Sequence, residues 1–249
     1  MTDINQEGET VQLTGLPVDY KALMATQLET LQKRLSPASG DKIRVGQNKV
    51  FSFPDGTSTP DPFQCVIVDF IASNDFYETG FDKDDISPPD CFARGTEPNT
   101  LMPSPNSPSK QADSCAVCPN NQWGSGPRGK GKACKNARLL AVLPPDATPE
   151  SPIWILQASP TAIQFFDKYV KALGAQLGMM PWGVITTVGF DPQSDYPSLR
   201  FGKPEPLDPS RGLEFYQRIT EARNRLMQEP DVSQAGAAKV AAPKSLRRR

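Results

Sequence analysis

The run FQCVIVDFIA, residues 63–72, decides how the chain is read. It is almost continuously apolar and follows the turn tract Gly56-Thr-Ser-Thr-Pro60-Asp-Pro62, which marks it as a buried strand. Cys65 lies inside it and reads as a core residue, since a free cysteine among apolar neighbours usually packs. Upstream, residues 42–53 suggest a strand or hairpin through the pairs Ile43/Val45 and Phe51/Phe53. Further upstream, residues 19–35 have the spacing of an amphipathic helix, with Tyr20, Leu23, Met24, Leu28, Leu31 and Leu35 inward.

Downstream, regularity is lost between residues 73 and 136 and then returns. Residues 138–143 and 153–157 read as strands. Ser159-Pro160 opens a helix, with an N-cap and a proline at the first helical position. Ile163, Phe166, Tyr169, Val170, Leu173 and Leu177 supply its inner face, and Gly178 closes it. Residues 182–190 and 196–201 are two more strands. Asp208-Pro209-Ser210 caps a last helix to about residue 228, with Leu213, Tyr216, Ile219 and Leu226 inward.

The order strand, insert, strand, strand, helix, strand, strand is that of a five-stranded oligonucleotide-binding (OB) barrel. The expected fold class is therefore mainly β with flanking helices. The cysteine-bearing insert then falls between the first two barrel strands. Residues 1–62 form an N-terminal helix and strand extension, 63–207 the barrel with its insert at 73–136, 208–228 a C-terminal helix, and 229–249 a disordered basic tail.

Composition narrows the class. The 249 residues include 26 prolines and 18 glycines, which fits long loops, and no histidine, which removes the usual general base and a common metal ligand. The N-terminus is polar and no run reaches membrane-spanning length, so a soluble cytoplasmic protein is expected. The odd count of five cysteines argues against a secreted disulfide framework. Charge is uneven. Residues 69–97 carry eight acids against two cations, residues 115–145 carry five cations and no acid, and residues 230–249 carry one acid against five cations. Two readings of this pattern stand: a polyanion partner, or mutual neutralisation of the first two blocks within the fold.

The cysteines of the insert are Cys91, Cys115, Cys118 and Cys134, two of them in a Cys-x-x-Cys knuckle. Four thiolates in this pattern point to structural zinc, with a cysteine-ligated iron–sulfur cluster as the alternative and free or redox thiols as the remainder. A metal would staple an insert too long and proline-rich to order itself. Between the last two cysteines lie Trp123, Arg128, Lys130 and Lys132, with Lys135 and Arg138 just beyond. The functional reading is a basic loop that meets phosphates while Trp123 stacks on a base. The plainer reading packs Trp123 beneath the knuckle. Gly126-Pro-Arg-Gly-Lys-Gly131-Lys132-Ala133 lacks the Ser or Thr and the preceding strand of a phosphate-binding P-loop. Phe76, Tyr77, Tyr196 and Phe201 read as core before they read as stacking platforms. Asp82, Asp84 and Asp85 read as a solvated loop rather than a nuclease centre, because the one acid-x-Lys triple, Asp19-Tyr-Lys21, lies ahead of everything else. Asp191 and Asp195 would repel phosphate from the loop between the last two barrel strands.

Taken together, the four cysteines, the basic Trp-containing loop and the strand order from 138 to 201 resemble bacteriophage single-stranded DNA-binding proteins that carry a zinc-bearing insert in an OB fold. The resemblance covers about residues 63–201. It departs at the ligand set, which in that family includes a histidine, and at the C-terminus, which is acidic there and ends in Lys-Ser-Leu-Arg-Arg-Arg here. It implies a non-enzymatic protein that binds single-stranded DNA or RNA in replication or recombination, in a phage or mobile element. The alternative is an interaction module whose zinc insert docks on a replication or recombination protein.

Overall fold

A computed structural model describes residues 41–78 and 88–233 of the chain. The expected helix at 19–35, the triple Asp19-Tyr-Lys21, the acids Asp82, Asp84 and Asp85, and the tail from residue 234 lie outside the described residues.

Nine strands form one sheet in the order β3-β2-β1-β7-β6-β4-β8-β9, with β5 added to β4. They are β1 (Lys42–Val45), β2 (Phe51–Ser52), β3 (Ser58–Thr59), β4 (Phe63–Phe76), β5 (Cys91–Gly95), β6 (Lys135–Leu143), β7 (Trp154–Ala158), β8 (Val184–Phe190) and β9 (Leu199–Pro206). Helix α1 (Pro160–Ala172) links β7 to β8, and α2 (Pro209–Gln217) and α3 (Ile219–Leu226) follow β9. The 14-residue β4 organises the sheet. One of its edges carries β6. The other carries β8 at residues 63–65 and β5 at residues 72–76.

β4 reads as a continuous apolar run because both of its faces are covered and because it contains a bulge. The register against β6 shifts between Ile67 and Asp69. One extra residue reverses the alternation. Cys65 and Ile67 before the bulge, and Phe70 after it, therefore all meet the first core cluster, with Phe166 of α1. Val66, Val68 and Ile71 meet the second, with Phe215, Ala222 and Leu226 of α2 and α3. Cys65 is a core thiol as expected, and burial pushes its pKa up to about 12. Arginines of α2, of α3 and of the break between them fix these helices to the loop between β6 and β7. Arg211 donates to Pro145 O (2.9 Å), Arg218 to Ser151 O (3.0 Å) and Arg225 to Ile153 O (2.9 Å).

Within the described residues the expected elements exist, but two helix faces are out of phase. α1 passes into a π-helical turn, Leu173–Leu177, which rotates Leu177 out to 45% exposure. The last helix breaks at Arg218, and its inward residues are Gly212, Phe215, Ala222 and Leu226, leaving Leu213 and Tyr216 exposed.

The closed five-stranded barrel is overturned. Closure would join the strand at 154–158 to the strand at 199–206. Instead the far edge of β7 is taken by β1, in parallel, through Lys42↔Ile155 and Ile43↔Leu156. Among the described strands β9 pairs with β8 alone. The result is an open mixed half-barrel with three flanking helices. The resemblance to phage single-stranded DNA-binding proteins fails with it, because helices cover both sides of the central strands where an OB fold leaves a strand face open to bases. Among the described residues no helix is long and apolar enough to cross a membrane.

Candidate functional site: the cysteine-bearing insert

The insert begins on a strand that its composition hides. β5 pairs with β4 from Ala72↔Gly95 to Phe76↔Cys91. On the other side of β4, β6 pairs through Ala72↔Arg138, Asn74↔Asn136 and Asp75↔Lys135. Paired residues share a face, so Ala72, Asn74, Ala93 and Asn136 lie together on the face that α1 covers further along. The loop after β5 folds back over this end. Leu101 packs on Ala72, Ala93 and Cys115. A Cβ at Gly95 would stand 2.7 Å from the end of the Leu101 side chain, so a larger residue there would make Leu101 shift. Backbone bonds repeat the fold-back: Ser104 N donates to Phe92 O (2.8 Å), Ser109 N to Asp90 O (2.7 Å) and Cys115 N to Leu101 O (3.0 Å).

The turns that carry the cysteines are held by amides. Asn136 Nδ2 donates to Asn74 Oδ1 (2.5 Å) and to Asn121 Oδ1 (2.9 Å). Asn121 Nδ2 donates in turn to Cys115 O (2.7 Å). Gln122 Nε2 donates to Ala116 O (2.9 Å) and Cys118 O (3.2 Å). Cys134 N donates to Asn120 O (2.8 Å), and Gly124 N and Gly126 N both donate to Gly131 O. A Cβ at Gly126 would fall 2.2 Å from Lys130 O, so this crossing of the loop requires glycine.

Cys91, Cys115, Cys118 and Cys134 are all buried and free. Burial pushes the Cys134 thiol up to about 12, and the charges of Cys115, Cys118, Asp75 and Cys91 add to the rise. Cys115 is raised too, first by burial and then by Cys91 and Cys118, against a hydrogen bond from Asn74 that lowers it. The fold thus brings the insert's thiols into electrostatic reach of one another, in surroundings that keep Cys115 and Cys134 protonated at neutral pH. It does not make them a metal centre. Among the described residues no group of three or more His, Cys, Asp or Glu side chains is placed to hold a metal ion. The four-cysteine zinc cage and its iron–sulfur alternative are corrected on that finding. The order of these turns comes from the asparagine–glutamine scaffold.

The six residues expected to contact nucleic acid do not act together. Arg138 is paired with Asp167 of α1 (3.0 Å), and the Lys135 ammonium lies 5.7 Å from the centre of the Tyr77 ring. Trp123 is not packed beneath the knuckle: it is 83% exposed at the tip, with Arg128, Lys130 and Lys132 also exposed. Arg128 holds φ at +60° to turn this tip. Phe201 is core as expected, packed on Phe166 and Tyr169, whereas Tyr196 is exposed. Asp191 is paired with Arg200. Asp75 is paired with Arg94 (2.8 Å) and Asp69 with Arg223 (2.9 Å), so these acids are neutralised, though not by the cations of residues 115–145. With neither a closed barrel nor a metal-bound insert, single-strand binding in replication or recombination, and docking through a zinc insert, are both set aside.

Sequence reasoning missed three features of the site: β5, the asparagine scaffold, and a latch from the C-terminal helices. Short alternation in Cys91-Phe-Ala-Arg was the one signal for β5. The latch is Glu229, just past α3, which accepts from Ser104 Oγ (2.5 Å) and Asn106 Nδ2 (2.7 Å). These bonds favour the carboxylate and lower its pKa from 4.5. The stability they contribute is therefore present above that value and is lost as pH falls through the lower folded value. An NMR titration of the Asn106 side-chain amide should show a midpoint below 4.5, and Glu229→Gln should abolish the transition. A midpoint at or above 4.5 means the latch contributes nothing.

No family model matches the chain, and no curated protein or solved structure matches it either.

Proposed function

We infer that the protein is a non-enzymatic binding module that docks an acidic, partly apolar segment of another protein on the tip of its insert. The observation that carries this reading is Trp123, 83% exposed beside Val117 at 72%, within a stretch that has cations and no acid. Gln122 ties the turn bearing Val117 to the turn bearing Trp123. The bonds to Gly131 O bring Lys130 and Lys132 against the same turn. A large aromatic held on a fixed turn and ringed by charge is the usual anchor of a protein interface. A nucleic-acid strand asks for more: a basic track and successive stacking faces. Here Lys135 and Arg138 face Tyr77 and Asp167, and Phe201 is packed in the core.

The test is anisotropy of a labelled peptide of alternating Glu and Leu, titrated with the full chain. Saturable binding is expected. Trp123→Ala and Lys130→Glu should each weaken it by roughly tenfold or more, since anchors of this type dominate interface energy. An alternating Lys–Leu peptide should not bind. Unchanged affinity in Trp123→Ala, or tighter binding of an oligothymidylate than of the acidic peptide, rejects the reading.

A further inference from the structure

A second feature lies away from the insert, at the junction of β1, β7 and β6. A cavity of about 420 Å³ is lined there by Lys42, Arg44, Leu139, Ile155, Gln157 and Ser159, together with Ile43 and Val45. Its volume lies within the ~300–1,000 Å³ of ordinary small-molecule sites. The register explains how it is built. Lys42 stands beside Ile155 across the parallel pair, and Leu139 stands opposite Gln157 across the antiparallel one. Residues in register share a face, so Lys42, Arg44, Ile155, Gln157 and Leu139 all belong to one side of the sheet. Cations line the β1 wall. The floor, Ile155 and Leu139, is apolar and continuous with the second core cluster. Gln157 of β7 and Ser159 just past it add polar groups.

The acid beside Lys42 is engaged elsewhere. Asp41 precedes Lys42 but faces Arg225, with Arg225 Nη1 3.4 Å from Asp41 Oδ2. An apolar floor with a cationic wall and hydrogen-bonding groups at one end suits a ligand with a single hydrocarbon tail and an anionic head. We propose that this cavity binds a medium-chain carboxylate, its head at the Lys42 wall and its tail across Ile155 and Leu139. The tail gains by leaving water for the apolar floor, and the carboxylate by a charge-assisted contact with an ammonium already at the surface.

Calorimetric titration of the full chain with monomeric dodecanoate tests this. One saturable site is expected. Lys42→Glu and Gln157→Glu, both at exposed positions and so compatible with folding, should each weaken binding by about tenfold or more through like-charge repulsion. Backbone amide shifts at Leu139 and Ile155 should accompany binding. Trp123→Ala should leave dodecanoate binding intact, which separates this site from the docking tip. Absent binding, equal binding of dodecanol, or unchanged affinity in both glutamate variants overturns the proposal. Binding to phosphatidylglycerol vesicles that free dodecanoate does not compete away also overturns it, since the source would then be a membrane surface.

Discussion

Phe166→Ala should cost about 3–5 kcal/mol of folding stability, the range for deleting a fully buried aromatic. Phe166 has no solvent exposure and is the largest fully buried side chain through which α1 meets the sheet. It packs edge-on against Phe70 of β4 (4.9 Å between ring centres, 81° between planes) and Phe201 of β9 (5.2 Å, 68°). Such pairs add to the area they bury. The space left by the ring cannot collapse readily, because its floor is hydrogen-bonded strand and its roof is a helix tied to β6 by Arg138 and Asp167. Urea denaturation checks this: the midpoint should fall sharply with an unchanged slope. A loss under about 1 kcal/mol would mean that α1 is not held through this side chain. Acidic-peptide binding by the folded fraction should be unaffected, since Trp123 belongs to the insert.

Much of the sheet is legible in the sequence because local signals and burial agree there. Residues 63–72, 138–143 and 153–157 are apolar for the reason they were read as strands: β4, β6 and β7 are central and covered. Ser159-Pro160 starts α1 where capping rules place it. What is not legible is non-local. Nothing in KIRV indicates that β1 will pair in parallel with β7, and that pairing is what leaves the barrel open. The bulge at residues 67–69 and the π-turn at Leu173–Leu177 each insert a change of phase that periodicity carries straight past. Cysteine spacing led to a metal because spacing records only which residues recur. Asparagine has no comparable spacing rule, so Asn74, Asn121 and Asn136, from β4, the knuckle and β6, remain unremarkable until the fold brings them together. Trp123 illustrates the same limit at the surface. Its neighbours identify it as a basic-loop aromatic, but only the fold shows that it stands clear of the knuckle.

Asn136→Ala should loosen the insert while leaving the sheet intact, at a cost of about 1–3 kcal/mol. One Asn136 amide serves two acceptors, and its loss is unequal for them. Asn121 Oδ1 keeps a second donor in the Lys132 ammonium (3.3 Å). Asn74 Oδ1 is on a buried residue, 6% exposed, and an orphaned carbonyl oxygen there carries the full penalty of lost hydration. Asn121 would then be free to rotate and release Cys115 O, and with it the turn that positions Cys118 and Trp123. Two readouts should therefore move together. Amide exchange at Cys115 and Cys134, whose N–H groups close the insert onto Leu101 and Asn120, should quicken. Alkylation of the same two thiols should speed up as burial, the main cause of their raised pKa values, is relieved. Amides of Leu140 and Leu156, in the sheet centre, should exchange as slowly as before apart from the small global loss. Rapid exchange spreading to those strands would instead mean that the insert and the sheet fold as one unit. Unchanged thiol reactivity would mean that something other than this amide network holds the cysteine turns in place.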